Sequence, residues 1–281
     1  MANLFQTMEA TAARGAAGLT VEARETLGAA LRALQTAGGG FRGLDGRPDL
    51  YYSFFAWLSL RALGMLFERE RLCAYAEEQG RSARGVDAWC AEIIVAREGR
   101  RSRGVGWLAA GAAMLRGEPR AVYGAFLLAL AVGDVPRGVA RLAWWRQRRM
   151  FAADVARQLP TSRLAAGLVL ATLVGDCDTG LLPALLSRRC VSGGFSSVAG
   201  AAADLLATSV ARFACYDSPD FFSSRTREDL AFVEACWLDD GLFGASPHDL
   251  HGDAEHTFYA LLALGTCRAE HACKKGVSRQ A

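Results

Sequence analysis

Three of the chain's four histidines crowd into one short run, His248, Asp249, His251, Asp253 and His256. Imidazole and carboxylate donors at that density suit zinc or another divalent ion, and three protein ligands leave an open position for chemistry. A set made of Asp204, His256 and either His251 or Asp253 would create a hard Lewis acid, matched to water or phosphate oxygen. The plainer alternative puts His248 and His251 in a solvated loop, with His256 hydrogen-bonded among helix ends. Two other acidic strings offer less. Asp176-Cys177-Asp178-Thr179 reads as a capping loop before a helix, and Asp239-Asp240 as a solvated turn.

Positioning these groups falls to a repeat. Gly39-Gly40-Phe41 precedes Asp49-Leu50-Tyr51-Tyr52, Gly193-Gly194-Phe195 precedes Asp204-Leu205-Leu206, and Gly241-Leu242-Phe243 precedes Asp253-Ala254-Glu255-His256. Each copy is a Gly-Phe turn, a loop of about ten residues, and an Asp opening an apolar helix. The last two copies start about 50 residues apart, a period typical of helical arrays.

Each unit reads as a helical hairpin. An amphipathic helix such as 22–36, with Leu27, Leu31 and Leu34 on one face, is stopped by glycines. Asp49, Asp204 and Asp253 stand where a cap or first-turn carboxylate belongs. The helix that follows is apolar nearly all round and must be buried on all sides. At this spacing the amphipathic members fall near 22–36, 66–79, 104–116, 137–156, 179–190 and 226–238. The apolar members fall near 49–64, 84–97, 120–132, 162–175, 203–216 and 253–266. Short connections make neighbours antiparallel, so the apolar set presents its N-termini at one end. Asp49, Asp204, Asp253 and His256 then share one mouth, whose free N–H groups and dipole ends suit an anion.

This pattern resembles the repeat of the protein prenyltransferase β subunits and class II terpenoid cyclases, most closely over residues 30–65 and 180–265. The resemblance implies an all-α (α/α)6 toroid whose aromatic-lined central cavity holds an isoprenoid chain. In the transferases it also implies a catalytic zinc, with Asp204 and His256 at matching positions. Leu206 stands at the thiolate position, and the loop 197–203 lacks the bases that hold a diphosphate. Class II cyclases protonate an alkene or epoxide with an Asp-x-Asp-Asp string, which Asp176-Cys177-Asp178-Thr179 approaches but does not complete.

Aromatics crowd the apolar helices: Tyr51, Tyr52, Phe54, Phe55 and Trp57 on the first, and Tyr123, Phe126, Phe213, Phe258 and Tyr259 on others. Their ring faces can line an isoprenoid tunnel or steady a carbocation, or simply fill a wide barrel.

Bulk properties set the limits. A formal charge of +3 over 281 residues gives no polyanion-binding surface, and Arg146, Arg148 and Arg149 after Trp144-Trp145 read as a solvated helix face rather than a nucleic-acid contact. Arg is nearly the only base before Lys274, which reflects a GC-rich genome. The eight cysteines form no paired framework, residues 1–20 lack a signal-peptide pattern, and the longest apolar run, 121–133, is too short to span a bilayer. The expectation is a cytoplasmic chain with an N-terminal extension over 1–20, one domain over 21–270 and a tail over 271–281. Its expected function is isoprenoid handling on a prenyl diphosphate or polyprenyl substrate. Asp204, Asp253 and His256 would form the polar centre, and Asp49, Tyr52, Phe55, Trp57, Phe258 and Tyr259 the substrate site. Asp204, His251 and His256 would serve as ligands if zinc binds, and transfer is slightly favoured over cyclisation. The alternatives are a catalytically lapsed toroid binding a lipid or a protein partner subunit, and a diverged cyclase using Asp49 or Asp253 as its acid.

Overall fold

The computed structural model describes residues 4–99, 141, 144–145, 148–151, 156–176, 180–215 and 226–277. It is mostly helical with a few very short strands. In chain order come α1 (Leu4–Ala17), α2 (Val21–Ala33), β1 (Phe41–Arg42), β2 (Pro48–Asp49), α3 (Leu50–Leu63), α4 (Arg69–Gln79) and α5 (Val86–Arg97). A 3₁₀ turn (Arg148–Phe151) precedes α6 (Thr161–Val174) and α7 (Leu181–Leu186). Then follow β3 (Phe195–Ser196), β4 (Ala203–Asp204), α8 (Leu205–Ala214), α9 (Thr226–Ala235) and α10 (Ala254–Val277). The helices expected near 104–116 and 120–132, and most of 137–156, lie outside the described residues. Among the described residues no helix is long and apolar enough to cross a membrane.

The Gly-Phe repeat is one hydrogen-bonded motif used three times. Phe41 bridges Gln35 and Asp49, Phe195 bridges Arg189 and Asp204, and Phe243 bridges Trp237 and Asp253. Each of these phenylalanines is buried, and each backbone N–H donates to a hydroxyl placed four residues after the Asp. The acceptors are Ser53 (2.8 Å), Thr208 (2.9 Å) and Thr257 (3.2 Å). Each Asp in turn caps its helix through Oδ1, accepting from the N–H of Tyr52 (2.8 Å), Ala207 (2.7 Å) or His256 (2.8 Å). A buried donor left unmet costs about 1–3 kcal/mol, so the register of turn, Asp and hydroxyl is tightly held. Gly39 and Gly193 have φ of +95° and +97°, and a Cβ on either would overlap the carbonyl oxygen of Arg71 or Glu228. Only glycine meets both demands.

The apolar helices pack in the order α5, α3, α10, α8, α6, while α2 lies against α3, α4 against α5, α9 against α10 and α7 against α6. Hydrogen bonds tie their N-terminal ends together. Leu205 N–H donates to Ala245 O (2.9 Å), and Thr161 Oγ1 and N–H donate to Ser196 O (2.6 Å) and Ser197 O (2.9 Å). The Tyr51 hydroxyl donates to Glu255 Oε1, joining the first turns of α3 and α10.

Helix α1 lies within the range set apart above as an extension, and it packs closely on α10 and α3. Phe5, Met8, Ala12 and Ala16 form its buried stripe. A Cβ on Gly15 would overlap Leu261 O, and one on Gly265 would overlap Thr11 O, so the α1 and α10 backbones touch. Glu9 pairs with Arg61 at 2.7 Å, and the Phe5 ring lies 6.1 Å from Trp57. At the other end of the chain, α10 continues to Val277 through part of the expected tail.

The second repeat is clamped by buried charge. Arg212 and Asp229 have fully buried side chains and bond at 2.6 Å. Asp229 also accepts from Arg189 and, at 2.9 Å, from Gly194 N–H. Arg212 Nε donates to Thr266 Oγ1 at 3.1 Å, so α8, α9 and the glycine turn meet at one carboxylate and α10 joins through the guanidinium. Asp229→Ala strands a buried guanidinium and is expected to cost about 3–5 kcal/mol in urea unfolding. Asp239→Ala, in an exposed turn, is expected to stay within about 0.5 kcal/mol. Equal midpoints for the two variants would contradict the clamp.

Candidate functional site

Between α3, α6, α8 and α10 lies a cavity of ≈ 160 Å³. Its lining follows helical spacing: Tyr51, Phe54 and Phe55 from α3; Ser162, Ala165, Ala166 and Val169 from α6; Leu206, Val210 and Phe213 from α8; Phe258, Tyr259 and Leu262 from α10. Met8 of α1 completes it. The wall is overwhelmingly apolar. Phe55 packs 5.7 Å from Phe258 and 5.4 Å from Tyr259, centroid to centroid, so rings of two helices meet across the interior.

The polar groups gather at the helix N-termini. Glu255 sits one turn above Phe258 and Tyr259 on the same stripe of α10, and Tyr51 one turn above Phe54 and Phe55 on α3. Glu255 is 8% exposed, and the Tyr51 hydroxyl donates to its Oε1. Burial raises its pKa above the usual carboxylate value; the Tyr51 bond and the His256 charge pull the other way, and Asp253 and Asp204 add to the rise. A carboxyl whose pKa is raised beside an apolar cavity is brought nearer the range in which it can exchange a proton there.

Next to it stands a His–Asp pair. His256 Nδ1 lies 2.8 Å from Asp253 Oδ2, while Asp253 Oδ1 caps the same helix. Burial lowers the His256 pKa, but the Asp253 hydrogen bond and the negative charges of Asp253, Glu255 and Asp204 outweigh it, and the net shift is upward. With Nδ1 turned to Asp253, Nε2 is the nitrogen left for proton exchange.

Of the expected residues, Phe55, Phe258 and Tyr259 line the cavity. Asp253 and His256 are adjacent, and the charge of Asp204 reaches both His256 and Glu255. Asp49 caps α3 on the side of Tyr75 and Asp87, whose titrations it shifts upward after burial. Tyr52 packs against Gly43 under the β1–β2 loop, and its pKa is pushed up to about 12 by burial and by Asp253, Glu255, Asp49 and Asp45. Trp57 is fully buried away from the cavity lining and donates Nε1–H to Glu98 Oε1 at 2.6 Å. His248 and His251 are exposed on the loop before α10. Asp176 accepts from Trp144 Nε1 at 2.6 Å, and Asp240 closes the turn by accepting from Leu242 and Gly252 N–H.

Among the described residues no group of three or more His, Cys, Asp or Glu side chains converges as a metal set. Burial pushes the thiols of Cys215 and Cys236 up to about 12, which removes them as thiolates near neutrality. Leu206, at the position where a thiolate would fall in the family pattern, lines the cavity wall. Tyr51 is one of the aromatics expected to line a tunnel, whereas Glu255 and Ser162 carry no such expectation from the sequence. The signal for Glu255 was its place three and four residues before two lining aromatics.

No protein-family model and no curated protein matches this chain.

Two titrations test the mouth. The His256 ring should titrate above its ordinary 6.5. Because the folded pKa is the higher one, its stabilising contribution is present below the unfolded value and lost as pH rises through the folded value. Asp253→Asn should lower the His256 pKa in proton NMR, and an unchanged value would contradict the pairing. Tyr51→Phe removes a donor that favours the carboxylate, so Glu255, followed by carbon NMR, should titrate still higher.

Proposed function

We propose that this chain is an isoprenoid-handling enzyme of the superfamily that includes the prenyltransferase β subunits and terpenoid cyclases. It would hold a prenyl chain in the cavity and carry out proton chemistry at the mouth. One observation carries the reading: a buried carboxyl, three and four residues before two lining aromatics, accepts from the hydroxyl of Tyr51, itself a lining residue of the cavity. The packing order α5, α3, α10, α8, α6 supports an arrangement of these helices as an inner ring. Closing it as an (α/α)6 toroid requires one more inner helix from residues 100–140.

In this reading the Glu255 carboxyl gives its proton to an alkene carbon. The π pair forms the new C–H bond, a cation is left on the neighbouring carbon, and Glu255 becomes a carboxylate. The ring faces of Tyr51, Phe55 and Tyr259 attract the cation, and a second alkene of the same chain can close on it. Loss of a proton from the cation to the Glu255 carboxylate ends the reaction and restores the acid. No co-reactant is consumed. The carboxylates acting on Tyr52 disfavour an anionic diphosphate at this mouth, so proton-initiated chemistry ranks above prenyl transfer.

A second reading has its own support. Asp49, Asp204 and Asp253 are all engaged as helix caps, which a lapsed toroid binding a lipid or a protein partner would equally need. Incubation with linear prenols, prenyl diphosphates and squalene, followed by mass spectrometry, separates the two. The expected result is an isomeric product whose rate falls about 10²-fold or more in Glu255→Gln. Binding without product supports the second reading. Stoichiometric zinc that is lost in His256→Ala, with prenyl diphosphate consumed, would restore transfer.

A further inference from the structure

We propose that α1 is the floor of the cavity and that Met8 sets the length of the chain it accepts. The inference rests on the cavity's holding a chain-like apolar ligand, as in the reading above. The lining runs from Ser162 to Val169 on α6 and from Leu206 to Phe213 on α8, about 10 Å of helix rise. An extended chain advances ~1.2 Å per bond, roughly 5 Å per four-bond isoprene unit. Two units fill that depth.

Met8 closes the space, and it is 3% exposed. It is the lining residue contributed from outside α3, α6, α8 and α10. The helix that carries it is held on both sides of this position. Toward the N-terminus, Phe5 packs on Trp57 and lies 4.1 Å from the Arg97 guanidinium, and directly after Met8 Glu9 pairs with Arg61. Toward the C-terminus, Gly15 meets α10 backbone to backbone. A fixed helix presenting one unbranched side chain to the cavity gives a hard stop, whose position changes with that side chain alone.

The test measures binding of two ligand series by titration calorimetry: prenols of one to four isoprene units, and unbranched alkanols of matching length. Wild type should bind the two-unit prenol and lose about tenfold or more in affinity at three units. Met8→Ala should move that drop outward by one unit, and Met8→Trp inward by one. Melting curves confirm that each variant is folded, and Met8→Leu, close in volume, should keep the wild-type limit. A length limit that stays put in both folded variants overturns the proposal. Alkanols with a movable limit, while prenols fail to bind, keep the floor and overturn the isoprenoid reading. Binding of neither series overturns both.

Discussion

One small constraint organises this molecule: the backbone N–H of a buried phenylalanine must find an acceptor. In three places it finds the hydroxyl of Ser53, Thr208 or Thr257, one turn into the helix that follows. That choice fixes where the first turn of the helix sits against the phenylalanine, although the Phe-to-Asp span is eight, nine or ten residues, and the Asp at the start caps it. The three turns therefore deliver α3, α8 and α10 in the same setting. Bonds between neighbouring loops and first turns then hold the N-termini at one end. The mouth is a consequence of that register.

The same constraint divides structural from chemical residues. An aspartate whose oxygen already holds a backbone N–H is a costly group to spend on catalysis, and Asp49, Asp204 and Asp253 are all held this way. Glu255 follows Asp253 by two residues and is free of that duty. It precedes the lining residues Phe258 and Tyr259 by one turn and is bonded to Tyr51, a lining side chain from another helix. His256, one position on, is turned to Asp253 instead. Neighbouring positions of one helical turn thus carry a carboxyl of raised pKa and an oriented imidazole, each altering the other's titration.

Much of the fold was legible because helix starts and stops have strong signals. The helices expected near 162–175 and 49–64 occur as Thr161–Val174 and Leu50–Leu63, ended by Gly175 and Gly64 at φ of +77° and +67°. The site was less legible. An inner helix that is apolar all round gives no facing signal, so Tyr52 and Trp57 could not be told from Tyr51 and Phe55. The aspartates looked chemical because carboxylates at helix starts serve caps and catalysis alike. Helix α1 was hidden by composition: its buried stripe contains Ala12 and Ala16, and its close approach to α10 depends on Gly15 and Gly265, residues that carry little pattern in a sequence.

The most direct test of a proton-donating mouth over an apolar cavity is a crystal structure with geraniol bound. The expected result is a chain lying between Phe55 and Tyr259, with its hydroxyl within hydrogen-bonding reach of Glu255. Geraniol bound elsewhere, or lying in the cavity with its hydroxyl turned away from Glu255, would contradict the assignment.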